Sequence, residues 1–131
     1  MEYQHTRNKV YLINYHLIWC PKRRKPVLIG DVKKRLKNIL HQVAEEKETK
    51  IIALEIMPDH LHLFISAYPT IPVHKIVKAF KGRSSNLLRK EFPHLLKLPS
   101  LWTHSYFVST AGNVSNRTIQ KYIETQTKVG K

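Results

Sequence analysis

The length, composition and charge of this sequence narrow the kind of protein that it encodes. It has 131 residues, of which 42% are hydrophobic, enough for a single globular domain over residues 1–131 with its own core. Its 23 Lys and Arg against 9 Asp and Glu give a net charge of +14, which favours a nucleic-acid partner and disfavours a small-molecule metalloenzyme. No run approaches the roughly 18 apolar residues of a membrane span, no secretory signal begins the chain, and the single Cys20 excludes an intrachain disulfide. We therefore expect a cytoplasmic protein without a membrane partner.

The first half of the chain predicts a strand, a helix and a β-hairpin. Val10–Trp19 is rich in β-branched and aromatic residues and predicts the first strand, which ends at a basic turn. Asp31 is the expected N-cap of the first helix, because apolar residues follow it at helical spacing. Two further strands are predicted at Ile51–Met57 and His60–Ser66, and the tight turn between them makes the pair a hairpin.

The second half predicts another helix, another strand and a final helix. Pro72 is expected at the first position of the second helix, and Pro93 ends it. Leu101–Val108 predicts a fourth strand. After a break in the pattern, Ser115 is the expected cap of a last helix that runs to about Lys128.

The order of these elements predicts the fold class. Strand, helix, strand, strand, helix, strand is the split βαβ pattern of an α+β, ferredoxin-like fold, in which an antiparallel sheet carries both helices on one face. The other face of the sheet stays open. We expect the appended last helix to lie over this open face or on a partner subunit.

The third predicted strand carries the most informative residues. Because side chains alternate along a strand, His60 and His62 point to one face and Leu61 points to the other. The two imidazoles can converge on one ion or one phosphate, although two polar residues on a solvated strand face would give the same pattern. Asp59, in the preceding turn, could orient a ligand imidazole or simply form the turn.

The last predicted helix carries a second group of candidates. Tyr122 and Gln126 are four residues apart and therefore share a helix face. Beside His60 and His62, the amide oxygen of Gln126 would complete three neutral ligands and leave positions on a divalent cation for phosphate oxygens. The hydroxyl of Tyr122 could then attack phosphorus and form a covalent phosphotyrosine. A packing tyrosine and a solvated glutamine are the simpler interpretation of the helix alone.

Uncompensated basic residues mark candidate phosphate contacts, although similar runs also occur on ordinary solvated faces. The candidate DNA-binding residues are Lys22, Arg23, Arg24, Lys25, Lys75, Lys78 and Arg83. Aromatic side chains could stack on unpaired bases, but Trp102 and Phe107 lie in a predicted strand and are expected in the core. His16 and His104 could line the open face near the histidine pair.

Four segments together resemble the single-tyrosine HUH transposases of bacterial and archaeal insertion sequences, the TnpA type. The segments are Tyr15–Lys22, Met57–His62, Leu101–Ser115 and Ile119–Gln126. They are spread over essentially the whole chain in the order of the family. Together they are far more specific than H-x-H alone.

By position, the resemblance implies that His60, His62 and Gln126 bind a metal ion and that Tyr122 is the nucleophile. It implies Mg²⁺ or Mn²⁺, although imidazole ligands alone suit Zn²⁺, Mn²⁺, Co²⁺ or Ni²⁺ better than Mg²⁺. The implied reaction is cleavage and rejoining of single-stranded DNA at hairpin-bearing element ends, through a 5′-phosphotyrosine and without ATP. A homodimer is also implied, in which Gly112 could act as a hinge and the tyrosine helix of one subunit could meet the histidines of the other.

Two alternatives stay open. A domesticated HUH endonuclease acting on repeated chromosomal hairpins would share all of these residues. A non-catalytic ferredoxin-like nucleic-acid-binding module would stack bases on exposed aromatics, but histidines stand where its aromatic motif belongs on the third strand. Binding alone would survive Tyr122→Phe, whereas strand transfer would not.

Overall fold

The fold is α+β, and the computed structural model describes it for residues 12–110 and 121–125. The strands and helices are β1 (Ile13–Trp19), α1 (Gly30–Glu46), β2 (Lys50–Met57), β3 (His60–Ala67), α2 (Val73–Glu91) and β4 (Phe107–Ser109), with 3₁₀ turns at Lys22–Arg24 and Pro93–Lys97. Residues 121–125 are helical. The four strands form one antiparallel sheet in the order β2-β3-β1-β4, which confirms the predicted ferredoxin-like arrangement.

Alternation along the central strands separates a core face from an open face. Leu17 and Trp19 of β1 are fully buried in one cluster with β3 residues such as Leu63 and with apolar residues of both helices. Burying a side chain of this size contributes about 1.5–3 kcal/mol relative to leaving it exposed. Because β1 and β3 are paired with His16 opposite Phe64 and Ile18 opposite His62, these four side chains share the other face.

Two predicted helix starts are wrong, the first by two residues and the second by one. The first helix begins at Gly30 after Ile29, so Asp31 lies inside the first turn and makes no side-chain cap there. Its carboxylate still suits the positive end of the helix. Pro72 precedes the second helix as its N-cap, because its extended backbone (ψ 136°) lies outside the helical region.

The fourth strand is much shorter than predicted and covers only Phe107–Ser109. The apolar residues before it are buried without belonging to that strand: Trp102 forms an isolated bridge with Pro21, and its indole N–H donates to Oγ of Ser84 at 3.0 Å. Trp102 is a core residue, as expected, whereas Phe107 is only half-buried. Residue types that favour strands also favour buried loops, which explains the error.

Other predictions agree with the structure to within a residue or lie outside the described residues. β2 begins one residue earlier than predicted and β3 ends one residue later. Val10, Gly112, Ser115 and Gln126 lie outside the described residues, as does most of the predicted last helix. None of the helices within 12–110 and 121–125 is long and apolar enough to cross a membrane.

Candidate active site

The β2–β3 hairpin places His60 and His62 together on the open face. β3 begins directly after the two-residue turn, with His60 opposite Met57 and His62 opposite Glu55. The centroids of the two imidazole rings are 5.1 Å apart and the ring planes are nearly perpendicular, at 77°. The structure thus brings the two histidines together as strand alternation predicts, and their role as metal ligands stays a prediction.

His60 is oriented by a carboxylate that is itself held by an arginine. Nδ1–H of His60 donates to Oδ1 of Asp59 at 2.8 Å, and Nε of Arg24 lies 2.8 Å from Oδ2 of the same carboxylate. Burial alone would raise the pKa of the Asp59 carboxyl, but the hydrogen bond from His60 and the nearby charges of His60 and Arg24 outweigh it and hold the pKa below its usual value. With Nδ1 engaged, coordination by His60 would use Nε2.

His62 is oriented by a third histidine, on β1. Nε2 of His16 and Nδ1 of His62 are 3.0 Å apart, and the His16 ring stacks on Phe64 with centroids 3.9 Å apart. Burial lowers the pKa of His16, and burial followed by the charges of His60 and His16 lowers the pKa of His62. Both rings are therefore favoured in the neutral form, which is the form that binds metals.

The histidine pair fits part of a divalent metal site. Both rings engage Nδ1 with a neighbouring side chain, so both would offer Nε2 to an ion. Among residues 12–110 and 121–125, no group of three or more His, Cys, Asp or Glu side chains could hold a metal ion. The pair therefore needs a further ligand of another type, and the predicted one, Gln126, lies outside the described residues.

Tyr122 lies against the same face of the sheet. Ile123 is buried against Ile18 and Cys20, while the Tyr122 ring packs on Phe107 with centroids 5.8 Å apart. Ile18 is also the β-ladder partner of His62. Residues 121–125, called the tyrosine segment below, and the histidine pair are therefore neighbours across this strand. Of the two expected places for the last helix, residues 121–125 occupy the open face of their own sheet.

The hydroxyl of Tyr122 contacts Ser105, a residue that sequence analysis missed. The two hydroxyl oxygens are 3.3 Å apart. Burial raises the pKa of Tyr122 to about 12, because it outweighs the opposing effect of the Ser105 hydrogen bond. The phenol is therefore neutral at physiological pH in this arrangement.

Lys81 holds the loop that carries Ser105. Its ammonium donates to the backbone carbonyls of Thr103 at 2.6 Å, His104 at 3.3 Å and Ser105 at 3.2 Å. Burial lowers the pKa of Lys81 to about 8. The sequence shows Lys81 only as one of several basic residues on α2, and nothing in it distinguishes this internal role from a surface charge.

The predicted DNA-binding residues occupy two regions. The basic turn follows β1 and consists of Lys22, Arg23, Arg24 and Lys25. Arg24 links this turn to the histidine pair through Asp59. The other region is α2, which carries Lys75, Lys78 and Arg83. Lys78 lines an open cavity of about 450 Å³ beside this helix.

One of these α2 residues is used in an internal contact. Arg83 makes a bidentate ion pair with Glu46 at 2.7 and 3.0 Å, which joins α2 to α1. His104 is exposed and lines the α2 cavity.

If the histidine pair holds a metal ion as predicted, Asp59→Asn should weaken the binding of that ion. The asparagine keeps the size of the side chain but removes the charge that pairs with Arg24 and holds His60. Removing such partners of metal-binding histidines typically costs about 10–100-fold in metal affinity or activity. The Mn²⁺ concentration that half-saturates the predicted site, measured by calorimetry, should rise by about 10-fold or more.

Glu91→Gln provides the matched control for Asp59→Asn. It replaces the carboxylate of a different arginine pair, the bidentate Arg35–Glu91 pair, which lies at the exposed α1–α2 contact. This control should leave Mn²⁺ binding unchanged. An equal effect of the two substitutions would mean that Asp59 acts only through general stability.

Comparisons with known proteins identify the class of protein to which this chain belongs. The sequence model of the family described as "Transposase IS200 like" matches residues 9–126. The chain therefore belongs to the IS200-like transposase family. It is 40% identical over 129 residues to the ISDra2 transposase TnpA of Deinococcus radiodurans, a match that covers 96% of this chain and 92% of that protein.

Further relatives support the assignment of the chain to this family. The transposase for insertion sequence element IS200 of Salmonella typhimurium is 30% identical over 125 residues, covering 93% of this chain and 80% of that protein. A crystal structure described as that of a transposase from Deinococcus radiodurans R1 superposes with a TM-score of 0.86 at 41% identity, covering 94% of this chain and 97% of the other. A tyrosine transposase bound to a REP hairpin shares the fold, with a TM-score of 0.56 at 13% identity, over 92% and 68% of the two chains.

Proposed function

We propose that this transposase is metal-dependent and cleaves and rejoins single-stranded DNA at the hairpin-bearing ends of an insertion sequence, through a 5′-phosphotyrosine on Tyr122. The observation that carries the proposal is that Tyr122 and the His60–His62 pair share one open sheet face, separated by Ile18. A tyrosine and a histidine pair placed in this way combine a nucleophile with ligands for a cation.

Tyr122 performs the covalent step in this proposal. Its phenolic oxygen attacks phosphorus, the bond from phosphorus to the 3′-oxygen breaks, and the proton lost by the phenol is balanced by the one gained by the leaving 3′-hydroxyl. Because one phosphoester replaces another, the rejoining step needs no ATP. The pKa of about 12 means that the proton must leave as the new bond forms, and Ser105 holds the hydroxyl until then.

The histidines hold the metal in this proposal, together with Gln126. A bound Mg²⁺ or Mn²⁺ would polarise the scissile phosphate as a Lewis acid. The hydrogen bonds that His60 and His62 make with Asp59 and His16 fix the two imidazoles before DNA arrives, so that little reorganisation remains at the moment of reaction.

The charge of the chain supports DNA as the substrate. The net charge of +14 and the basic turn Lys22–Lys25, joined to the site through Arg24, would attract and position phosphates. The exposed Lys75 and Lys78 of α2 extend the positive surface. A tyrosine transposase of the same fold is described as bound to a REP hairpin, which supports a hairpin as the ligand proposed here.

We also propose a homodimer with composite active sites. The tyrosine segment buries only Ile123 among residues 121–125, against Ile18 and Cys20. Half-buried Tyr122 adds its ring contact with Phe107 and its hydrogen bond with Ser105. Contacts of two side chains, each worth about 1.5–3 kcal/mol at most, are small enough for the segment to leave its own sheet and dock on that of a partner. The domesticated-endonuclease alternative is less favoured, because the relatives at 30–40% identity are insertion-sequence transposases.

The test is a denaturing gel of the purified protein with labelled single-stranded oligonucleotides that span the hairpin ends of its element. With Mn²⁺ or Mg²⁺ we expect a covalent protein–DNA adduct and a shortened strand with a free 3′-hydroxyl, and with EDTA neither product. Hairpin binding without any adduct in either metal would contradict the proposed reaction and favour a binding module.

A further inference from the structure

We propose that His16 is a positioning residue that fixes the ring orientation and tautomer of His62, so that His62 offers Nε2 to the cation. No comparison assigns a role to His16, which stands on β1 in the middle of the sheet. The inference rests on the proposed function, because it concerns how one of the proposed ligands is prepared for its ion.

The proton count of the contact carries the inference. Nε2 of His16 and Nδ1 of His62 are 3.0 Å apart, so one nitrogen donates and the other accepts. If His62 coordinates through Nε2, its proton sits on Nδ1 and is donated to His16, which must then carry its own proton on Nδ1. The opposite arrangement would put a proton on Nε2 of His62 and prevent coordination.

The neighbouring ligand, His60, has the tautomer that the inference assigns to His62. His60 uses Nδ1–H to donate to the carboxylate of Asp59, an acceptor without a proton, and so its Nε2 carries the lone pair. With His16 as acceptor, His62 has the same arrangement. Two adjacent strand positions on one face would then present the same ring nitrogen to one ion.

The surroundings of His16 suit a positioning role better than a ligand role. Its side chain is 7% exposed, and its ring lies almost parallel to Phe64, its ladder partner, with an angle of 14° between the planes. The sheet and this stacking fix the plane of the imidazole. Because Nε2 already contacts His62, that nitrogen is not available to a cation, in agreement with the absence of a three-histidine site in the described residues.

Two substitutions separate the hydrogen bond from the packing. His16→Phe keeps an aromatic ring to stack on Phe64 but removes the acceptor. His16→Gln restores an acceptor, because its amide oxygen reaches about as far from the backbone as Nε2 of histidine. The matched control is His41→Phe, at an exposed position of α1.

The metal probe is Co²⁺ added to the full chain without DNA, followed by its visible absorption and by calorimetry. His16→Phe should weaken Co²⁺ binding by about 10–100-fold, with His16→Gln recovering most of the loss and His41→Phe showing none. Wild-type affinity in a folded His16→Phe variant would overturn the inference. His62→Ala distinguishes the two hypotheses: if it leaves Co²⁺ binding unchanged, the proposed metal site itself is wrong.

A second measurement needs neither metal nor substitution. Nuclear magnetic resonance of the metal-free protein with ¹⁵N-labelled histidine reports which ring nitrogen carries the proton. We expect the proton of His62 on Nδ1 in the wild type. A proton on Nε2 of His62 would overturn the inference even if His16→Phe failed to fold.

Discussion

Tyr122→Phe should abolish the covalent protein–DNA adduct while leaving hairpin binding close to that of the wild type. The substitution removes one oxygen, the proposed nucleophile, and keeps the ring that packs on Phe107. The lost hydrogen bond to Ser105 costs about 0.5–1.5 kcal/mol of folding stability at most, too little to unfold a domain. Adduct formation should therefore disappear at a temperature where the variant is fully folded.

The measurement compares adduct on a denaturing gel with hairpin binding on a native gel. Tyr15→Phe is the control, because Tyr15 packs against the core on the helical side of the sheet, away from the site. It should form adduct at the wild-type level. A metal-dependent adduct that persists in Tyr122→Phe would mean that another side chain is the nucleophile, even though the chain is a transposase.

The sequence was sufficient to predict the fold and the sheet face on which the candidate residues lie. Element order predicts the β2-β3-β1-β4 sheet, and strand alternation alone puts His60 beside His62. These predictions succeed because they depend on local periodicity and on a small set of allowed topologies. The predicted fourth strand failed because the burial of Leu101 and Trp102 comes from loop contacts, which have no period.

The partners of the candidate ligands could not be predicted in the same way. The contact between His16 and His62 joins positions 46 residues apart, and it exists only because the register of β1 on β3 sets Ile18 opposite His62. Ser105 contacts Tyr122, and Arg24 contacts Asp59, because of loops whose paths are fixed by tertiary contacts. Of these partners, only Asp59 was expected to orient a ligand imidazole, because it directly precedes His60. His16 was expected on the open face near the pair, and Arg24 as a phosphate contact.

His60→Ala and His62→Ala should each abolish adduct formation without abolishing hairpin binding. Each removes one of two imidazoles whose rings are 5.1 Å apart, and the remaining histidine with Gln126 would hold the cation poorly. Because both side chains lie on the half-buried open face and not in the core cluster, folding should be retained. The loss of adduct should be largest at low Mn²⁺ concentration, because there the number of protein ligands limits the fraction of sites that hold the cation.

The two histidine variants also separate a metal site from a phosphate-binding site. If the imidazoles contacted the scissile phosphate directly, the variants would weaken DNA binding in EDTA, whereas metal ligands would affect binding and cleavage only when the cation is present. The control is His41→Ala, on α1 and across the sheet from the open face, which should form adduct normally. Full adduct levels in His62→Ala at limiting Mn²⁺ would contradict the assignment of His62 as a ligand. They would leave Tyr122 as the proposed nucleophile, because Tyr122 lies on the helical segment 121–125 and His62 lies on β3.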